Sequence, residues 1–504
     1  MKPPRPPRPS IPAPALISGL ILLAGAAATL ALNLPGHLSY DSIVQLDQGR
    51  RGVYNFWHPP VMAWLLGLAD AARPGAALFV IFDVILIFGG LISVAVLATR
   101  GAWSAPVAAL AIVLLPQAVI YPAIVWKDVL FAGAALCGFA CLALAARAWT
   151  VRPWRWAFIG KAVGLFTLAT LARQNGAVIV PFAAVALAWI AARQDARPHW
   201  GRRIAQAAAF TAVVTLLTVG ATAALKTHGD GQPEGVHQFE DLRIYEIVAA
   251  RADDPRAGFP ILAAKAPALN AFLTTQGRAR YTPSRIDPLV QTAGIQDHEH
   301  RDSAFVREQW KAIFLADPLR YLKVRAKLFG WVFFTPDLQA CVPVAIGVDG
   351  PREVMVRLGM ETRYSDTDDA LMSYASAFFA TPAFSHAAYA ALALALLVAL
   401  LVRRRPEDIA VAGLLAAALA FTGTFFLITI ACDYRYLYFL DLSALAGALY
   451  VAGTLPMRRR GAGARPGNAV EFELAPDGRI LLVKVDGART VSRLEALRGC
   501  AGGG

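Results

Sequence analysis

Apolar residues in this chain gather into long unbroken runs, not into the alternation of half-buried strands or the one-sided stripes of surface helices. Runs suited to crossing about 30 Å of hydrocarbon fall near 12–34, 77–98, 105–121, 129–146, 157–172, 177–192, 204–225, 384–402, 409–431 and 436–456. Those at 105–121, 157–172 and 177–192 are short, so their ends are soft. Between 227 and 382 the pattern changes. Turn signals such as Gly229-Asp230-Gly231-Gln232-Pro233 separate segments of helical periodicity at 238–251, 302–315 and 318–334. The chain therefore divides into a seven-span module at 1–225, a soluble, mainly helical segment at 226–383, three further spans at 384–456 and a tail at 457–504. In the tail, Val470–Leu474, Pro476-Asp477-Gly478-Arg479 and Ile480–Val483 read as a β-hairpin.

Composition agrees with the runs. With 57% hydrophobic and 16% charged residues, a water-soluble globule would have to expose much of its apolar content. The fold class expected is an α-helical polytopic membrane protein of about ten transmembrane helices with a soluble insertion. Charge then sets the orientation. One alternate set of loops and the amino-terminal segment carries 18 Lys and Arg, from Lys2 to Arg460, while the opposite short turns hold six: Arg50, Arg51, Arg73, Lys127, Arg173 and Arg435. The positive-inside rule puts both termini in the cytoplasm, the 226–383 segment outside, and the chain in the inner (plasma) membrane as a multi-pass protein. The net charge of +13 is thus mainly a topology signal. Scattered over several loops, it excludes a nucleic-acid-binding face.

Met1–Pro14 is Pro-rich and basic, and the apolar run after it is too long for a signal-peptide core, so it reads as a retained signal anchor. Cys137 and Cys141 sit i,i+4 within one span as small apolar residues. Cys341 and Cys432 both fall outside the membrane, where one disulfide can form in an oxidising compartment.

The polar residues at the outer ends of the spans carry the candidate chemistry. Gly36-His37-Leu38-Ser39-Tyr40-Asp41-Ser42 follows the first span directly, and Trp57-His58-Pro59-Pro60 opens the next helix, Val61–Leu68. Asp41 either caps a short helix at 41–46 or acts as a base, and a placed carboxylate contributes roughly 10²–10⁴-fold in rate. Asp47 is a second-choice acid. His58 either contacts sugar or phosphate or pins the Trp57-Pro59-Pro60 turn. Lys127, Arg173 and Arg435 each occupy an outer turn. Singly, each reads as a snorkelling anchor, Lys127 with Asp128 as partner. Together, cations this close to hydrocarbon suggest a phosphate pocket. Asp317–Phe329 has an N-cap, an early proline and a basic face beside an apolar one, so it either lies at a membrane interface or packs on the soluble segment. Asp297-His298-Glu299-His300 reads as a solvated loop. Neither a nucleotide phosphate loop nor a dinucleotide fingerprint is present, so any donor arrives already activated.

The segment around Asp41 followed by His58-Pro59-Pro60 resembles the GT-C superfamily of membrane glycosyltransferases, in particular protein O-mannosyltransferases and lipid A aminoarabinose transferases. In those enzymes the first external loop carries the catalytic carboxylate and an HPPL-like motif follows. Two departures stand out: the mannosyltransferases have an adjacent acidic pair where this chain has Asp41-Ser42, and no lysine follows Pro59-Pro60. Trp126-Lys127-Asp128 and Asp433-Tyr434-Arg435-Tyr436 are similar to segments of uncharacterised bacterial GT-C-like proteins.

The resemblance covers about 11–225, with weaker support from 384–456. It implies inverting transfer of a sugar from a polyprenyl-phosphate donor to a glycan, lipid or protein acceptor outside the membrane. Asp41 would be the base, Lys127, Arg173 and Arg435 would surround the phosphate, and Trp57, His58, Tyr436 and Asp47 would be substrate-binding. Metal dependence varies within the superfamily, so a divalent metal stays open and no cofactor is fixed. Two other classes join or move the same lipids. An O-antigen ligase or polymerase would keep its essential basic residues in a large late loop. A transporter of lipid-linked sugars would carry paired repeats and broken helices, neither of which the sequence displays.

Overall fold

The computed structural model describes residues 12–55, 57–97, 102–195, 199–229, 236–291, 295–455, 470–474, 480–485 and 488–490. The chain forms two compact units, Met1–Leu455 and Pro456–Gly504. The larger is organised by α1 (Ala13–Asn33), α2 (Tyr40–Arg51), α3 (Pro60–Ala72), α4 (Ala77–Val96), α5 (Ser104–Val113), α6 (Lys127–Arg147), α7 (Arg152–Ala172), α8 (Ile179–Gln194), α9 (Trp200–Lys226), α10 (Val236–Asp253), α11 (Ile295–Ala316), α12 (Pro318–Phe334), α13 (His386–Arg403), α14 (Pro406–Ile428) and α15 (Tyr438–Thr454). Among the described residues, eight helices are long and apolar enough to cross a membrane, nine if one bent pair counts as a single span. This is a helical polytopic membrane fold.

Two of the ten expected spans differ from straight apolar helices. The run at 105–121 is broken: α5 stops at Val113, the chain restarts at Pro116, and the two pieces meet at 72°. Pro116 lacks an N–H and disfavours helical geometry in the residue before it, so the ladder ends there. The run at 157–172 lies in α7, whose first turns hold Arg152, Arg155 and Lys161. The 227–382 segment forms its expected helices, but it does not pack as one body. Ile244, Val248, Leu269, Val306, Phe314 and Leu328 share a core of their own, whereas Val344, Val348, Met355 and Leu371 join the core of the membrane helices. The Asp297–His300 stretch expected as a loop is helical in backbone within α11; its side chains lie outside the described residues. In the second unit, β1 (Val470–Leu474) pairs antiparallel with β2 (Ile480–Val485), as the hairpin pattern predicts, and β2 pairs with β3 (Ala488–Thr490). The expected Pro476–Arg479 turn lies outside the described residues.

The loop after α1 is woven into its surroundings. His37 N donates to Ala123 O and Val125 N to His37 O, both at 3.0 Å, while Leu38 N donates to Gly347 O at 2.9 Å. His37 is buried and accepts at Nδ1 from Gly347 N at 3.0 Å. Ser39 and Ser42 cap α2 reciprocally, and Gly52 closes it at φ 66, a conformation that favours glycine. Helices α2 and α3 cross in backbone contact. A Cβ on Gly49 would run into Ala63 O and Gly67 N. Glycine at that crossing lets the Asp41 helix lie against the helix that His58-Pro59-Pro60 opens.

Candidate active site

Five chain segments converge at one end of the helices: the start of α2, the turn before α3, the start of α6, the turn after α7 and the strap between α14 and α15. The strap is pinned by the Cys341–Cys432 disulfide, which the sequence had allowed. Cys432 N also donates to Ser284 O at 2.8 Å and Tyr434 N to Cys341 O at 2.7 Å. Arg435 is thereby held at the centre of the cluster.

Arg435 Nη2 lies 2.7 Å from Asp41 Oδ2 and 2.9 Å from Asp433 Oδ2, and its Nε is 3.9 Å from Asp128 Oδ2. Its guanidinium stacks over Trp126 at 5.0 Å, and Trp126 Nε1 donates to Ser39 Oγ at 3.0 Å. On the other side of Asp41, Oδ1 is 3.6 Å from His58 Nε2, and Lys127 Nζ is 2.7 Å from His58 Nδ1. Asp41 is 27% exposed, His58 17% and Arg435 11%, so the three open to solvent while Asp128, at 2%, does not.

A deeper layer supports this one. Arg173 pairs with Asp128 and donates Nε to Asn175 Oδ1 at 3.2 Å, and Asn175 donates in turn to Thr424 Oγ1 at 2.8 Å. The Arg173 guanidinium also faces the rings of Phe421, Phe425 and Tyr436 at 5.3–5.6 Å. Its charge is taken up within the fold. Lys127 differs from both arginines in that its short contact is to a neutral ring.

The charges around Asp41 keep it ionised. Burial pushes its carboxyl upward, but Arg435, then His58 and Lys127, outweigh that and hold it well below the usual carboxylate range. It is ionised at neutral pH and bonded to a cation that must shift before the carboxylate can take a proton efficiently. His58 is lowered to about 4, first by burial and next by Lys127, so its ring is neutral. Among the described residues no group of three or more His, Cys, Asp or Glu is placed to hold a metal ion. Asp41, Asp128 and Asp433 face guanidinium groups instead.

Of the residues singled out in the sequence, Asp41, His58, Lys127, Arg173, Arg435 and Tyr436 meet here. Trp57 sits on the same turn as His58 and is 42% exposed. Asp47 does not join them. It is buried and bonded to Arg357 at 2.8 and 3.1 Å and to Arg51 at 2.9 Å, tying α2 to the Arg352–Leu358 helix. Asp128 is not the partner of Lys127, because successive helical residues diverge in direction. Trp126, Asp128 and Asp433 were within reach of the sequence, as flanks of Lys127 and Arg435. Arg285, 3.7 Å from Asp433, comes from the inserted segment and has no local signal.

No known family model matches the chain, and no curated protein matches it. Solved structures similar to it are those of the Archaeoglobus fulgidus oligosaccharyltransferase. The form tethered with an acceptor peptide gives a TM-score of 0.38 at 14% identity over 86% of this chain and 49% of that one. The form with an inhibitory peptide and a dolichol-phosphate gives 0.36 at 14% identity over 86% and 50%. This chain spans about half the length of those proteins.

Proposed function

We propose that the chain is a membrane glycosyltransferase that moves a sugar from a polyprenyl-phosphate donor to an acceptor hydroxyl on the outer face of the plasma membrane, with inversion at the anomeric carbon. The observation that carries this reading is the meeting, at one mouth, of an ionised carboxylate with two cations. Asp41, Arg435 and Lys127 come from segments up to 394 residues apart, and the mouth sits at the ends of membrane-spanning helices, where a lipid phosphate would lie.

The chemistry follows from the charges. Lys127 contacts the donor phosphate as a point charge, and Arg435 turns from Asp41 to meet it bidentately. The phosphate then neutralises the cation that held Asp41, so the carboxylate becomes a better base as the donor seats. Asp41 orients the acceptor hydroxyl and takes its proton as the new bond forms opposite the departing phosphate. Arg173 acts one layer down by fixing Asp128, and Tyr436 and Trp57 supply faces for the sugar.

Binding of undecaprenyl phosphate to detergent-purified protein tests the phosphate seat. Arg435→Ala is expected to weaken it at least tenfold, a loss of about 1.4 kcal/mol, whereas Arg193→Ala, on the opposite end, leaves it unchanged. Equal affinity in the two variants would reduce Arg435 to a structural anchor.

A further inference from the structure

His58 contacts both working ends of the site. Lys127 Nζ approaches its Nδ1 at 2.7 Å. An ammonium has no lone pair, so Nδ1 accepts and the ring proton sits on Nε2. Nε2 faces Asp41 Oδ1 at 3.6 Å. The three side chains therefore form one line, from the cation that meets phosphate to the carboxylate that meets the acceptor. The Pro59-Pro60 start of α3 fixes the middle of that line, and the first turns of α6 and α2 fix its two ends.

We propose that Lys127, His58 and Asp41 are a proton relay that returns the acceptor's proton to the leaving phosphate. The inference rests on the transfer reaction proposed for this site. In that reaction the acceptor oxygen bonds to the anomeric carbon, and the bond from that carbon to the phosphate oxygen breaks with its electron pair on the oxygen. The hydroxyl proton goes to Asp41. Lys127 then gives a proton to the lipid phosphate, and its amine takes the proton on His58 Nδ1. The Nε2 lone pair of His58 takes the proton from Asp41. The phosphodiester enters with one negative charge and leaves as a singly protonated monoester with one, so the site keeps its charge over the cycle. Transfer through Nδ1 requires the ring proton to stand there, so once Lys127 turns to the phosphate, solvent at the 17%-exposed ring gives a proton to Nδ1 and takes the one on Nε2.

Three charged groups face the ring: Asp41 from α2, Lys127 from α6 and Arg435 from the strap. Burial and Lys127 keep the free ring neutral, so it takes no second proton while the site is empty. When phosphate draws Lys127 away, the closest repelling charge goes and Asp41 favours a proton on the ring. Without the relay, each turnover would leave a neutral Asp41 beside a doubly charged phosphate held by two cations. Product would then leave slowly.

Ring-nitrogen NMR of histidine-labelled protein in bilayers tests this without knowledge of the sugar or the acceptor. His58→Gln identifies the ring signals, and if that variant does not fold, Lys127→Met identifies them by shifting the ring it touches. In the free protein His58 Nδ1 is expected in the unprotonated range and Nε2 in the protonated one. Saturation with undecaprenyl phosphate, followed by the lipid's own phosphorus signal, is expected to move Nδ1 into the protonated range. A lipid that binds while both ring nitrogens keep their positions overturns the relay and leaves the transferase reading intact. A lipid that does not bind overturns the donor reading and the relay with it.

Discussion

Arg325 offers the sharpest test of how the inserted segment supports the site. The side chain is fully buried on α12 and reaches the end of α14, where Phe425 O takes the last helical N–H, from Thr429, and the carbonyls after it lack one. Its Nη2 donates to Phe425 O at 3.2 Å, Nε to Phe426 O at 2.6 Å, and Nη1 to Thr429 O and Glu246 Oε1, both at 3.1 Å. Glu246 is itself buried and accepts from Trp310 Nε1. Replacing Arg325 with Met leaves Glu246 as an uncompensated buried charge, which destabilises by about 3–5 kcal/mol. Orphaned carbonyls add to that, partly relieved by water. The damage falls first on the strap that follows, from Thr429 to Arg435. Hydrogen exchange reads it directly through the amides of Thr429, Cys432 and Tyr434, which donate to Phe425, Ser284 and Cys341. A loss of this size speeds their exchange by roughly 10²–10⁴-fold, at tenfold per 1.4 kcal/mol. Glu246→Gln in the same chain is expected to recover part of the loss, since the stranded charge is gone. Protection unchanged within about threefold in Arg325→Met, less than 1 kcal/mol, would refute the claim that this residue holds the strap.

Replacing Cys341 and Cys432 together by Ser opens a loop of 91 residues and is expected to lower stability by about 2–4 kcal/mol; undecaprenyl phosphate binding should weaken with it, because Arg435 lies three residues along the strap. Thermal unfolding and lipid binding in the double variant check both expectations, and unchanged binding would separate the disulfide from the site. Asp70 accepts from Arg50 at 2.7 and 2.9 Å and from Gly75 N at 2.8 Å, and the Arg50 bond, ahead of the opposing effect of burial, holds its carboxyl below the usual range. A depressed folded value means that its stabilisation is present above the ordinary carboxylate range and is lost as pH falls through the folded value. Asp70→Asn is therefore expected to lower stability by about 1–3 kcal/mol at neutral pH, with the gap to the parent closing in acid; a gap independent of pH would contradict this.

The helices were legible because a span must be apolar along most of its length, and that demand leaves a mark in any window of the sequence. The break after Val113 was less so. Pro116 marks it, but the surrounding run stays apolar because the turned segment is itself buried, with Tyr121 stacked on Tyr438 at 4.7 Å. Asp41, Lys127, Arg173 and Arg435 could be found because charge at the edge of hydrocarbon is rare and stands out. Their pairing could not. Whether Lys127 meets Asp128 or His58 depends on contacts between residues far apart in the chain. Arg325 shows the same limit: it sits within a stretch that reads as the basic face of an amphipathic helix, yet it is buried against α14. Of the neighbouring cations, Lys323 and Lys327 are exposed, while Arg320 pairs with Asp254 at 3.1 Å. Asp47, acidic and close to Asp41 in sequence, points to the far side of α2 and serves packing.

The most direct test of the account is donor consumption. Purified protein in lipid is incubated with a panel of radiolabelled polyprenyl-phosphate sugars, and release of sugar to acceptor or water is followed for the parent and for Asp41→Asn. The account predicts that at least one donor is consumed by the parent, and that the variant, folded and still binding the lipid phosphate, transfers roughly 10²–10⁴-fold more slowly. Consumption at the parent's rate by Asp41→Asn would contradict the assignment of the base, and a panel left untouched by the parent would contradict the glycosyl-transfer reading itself.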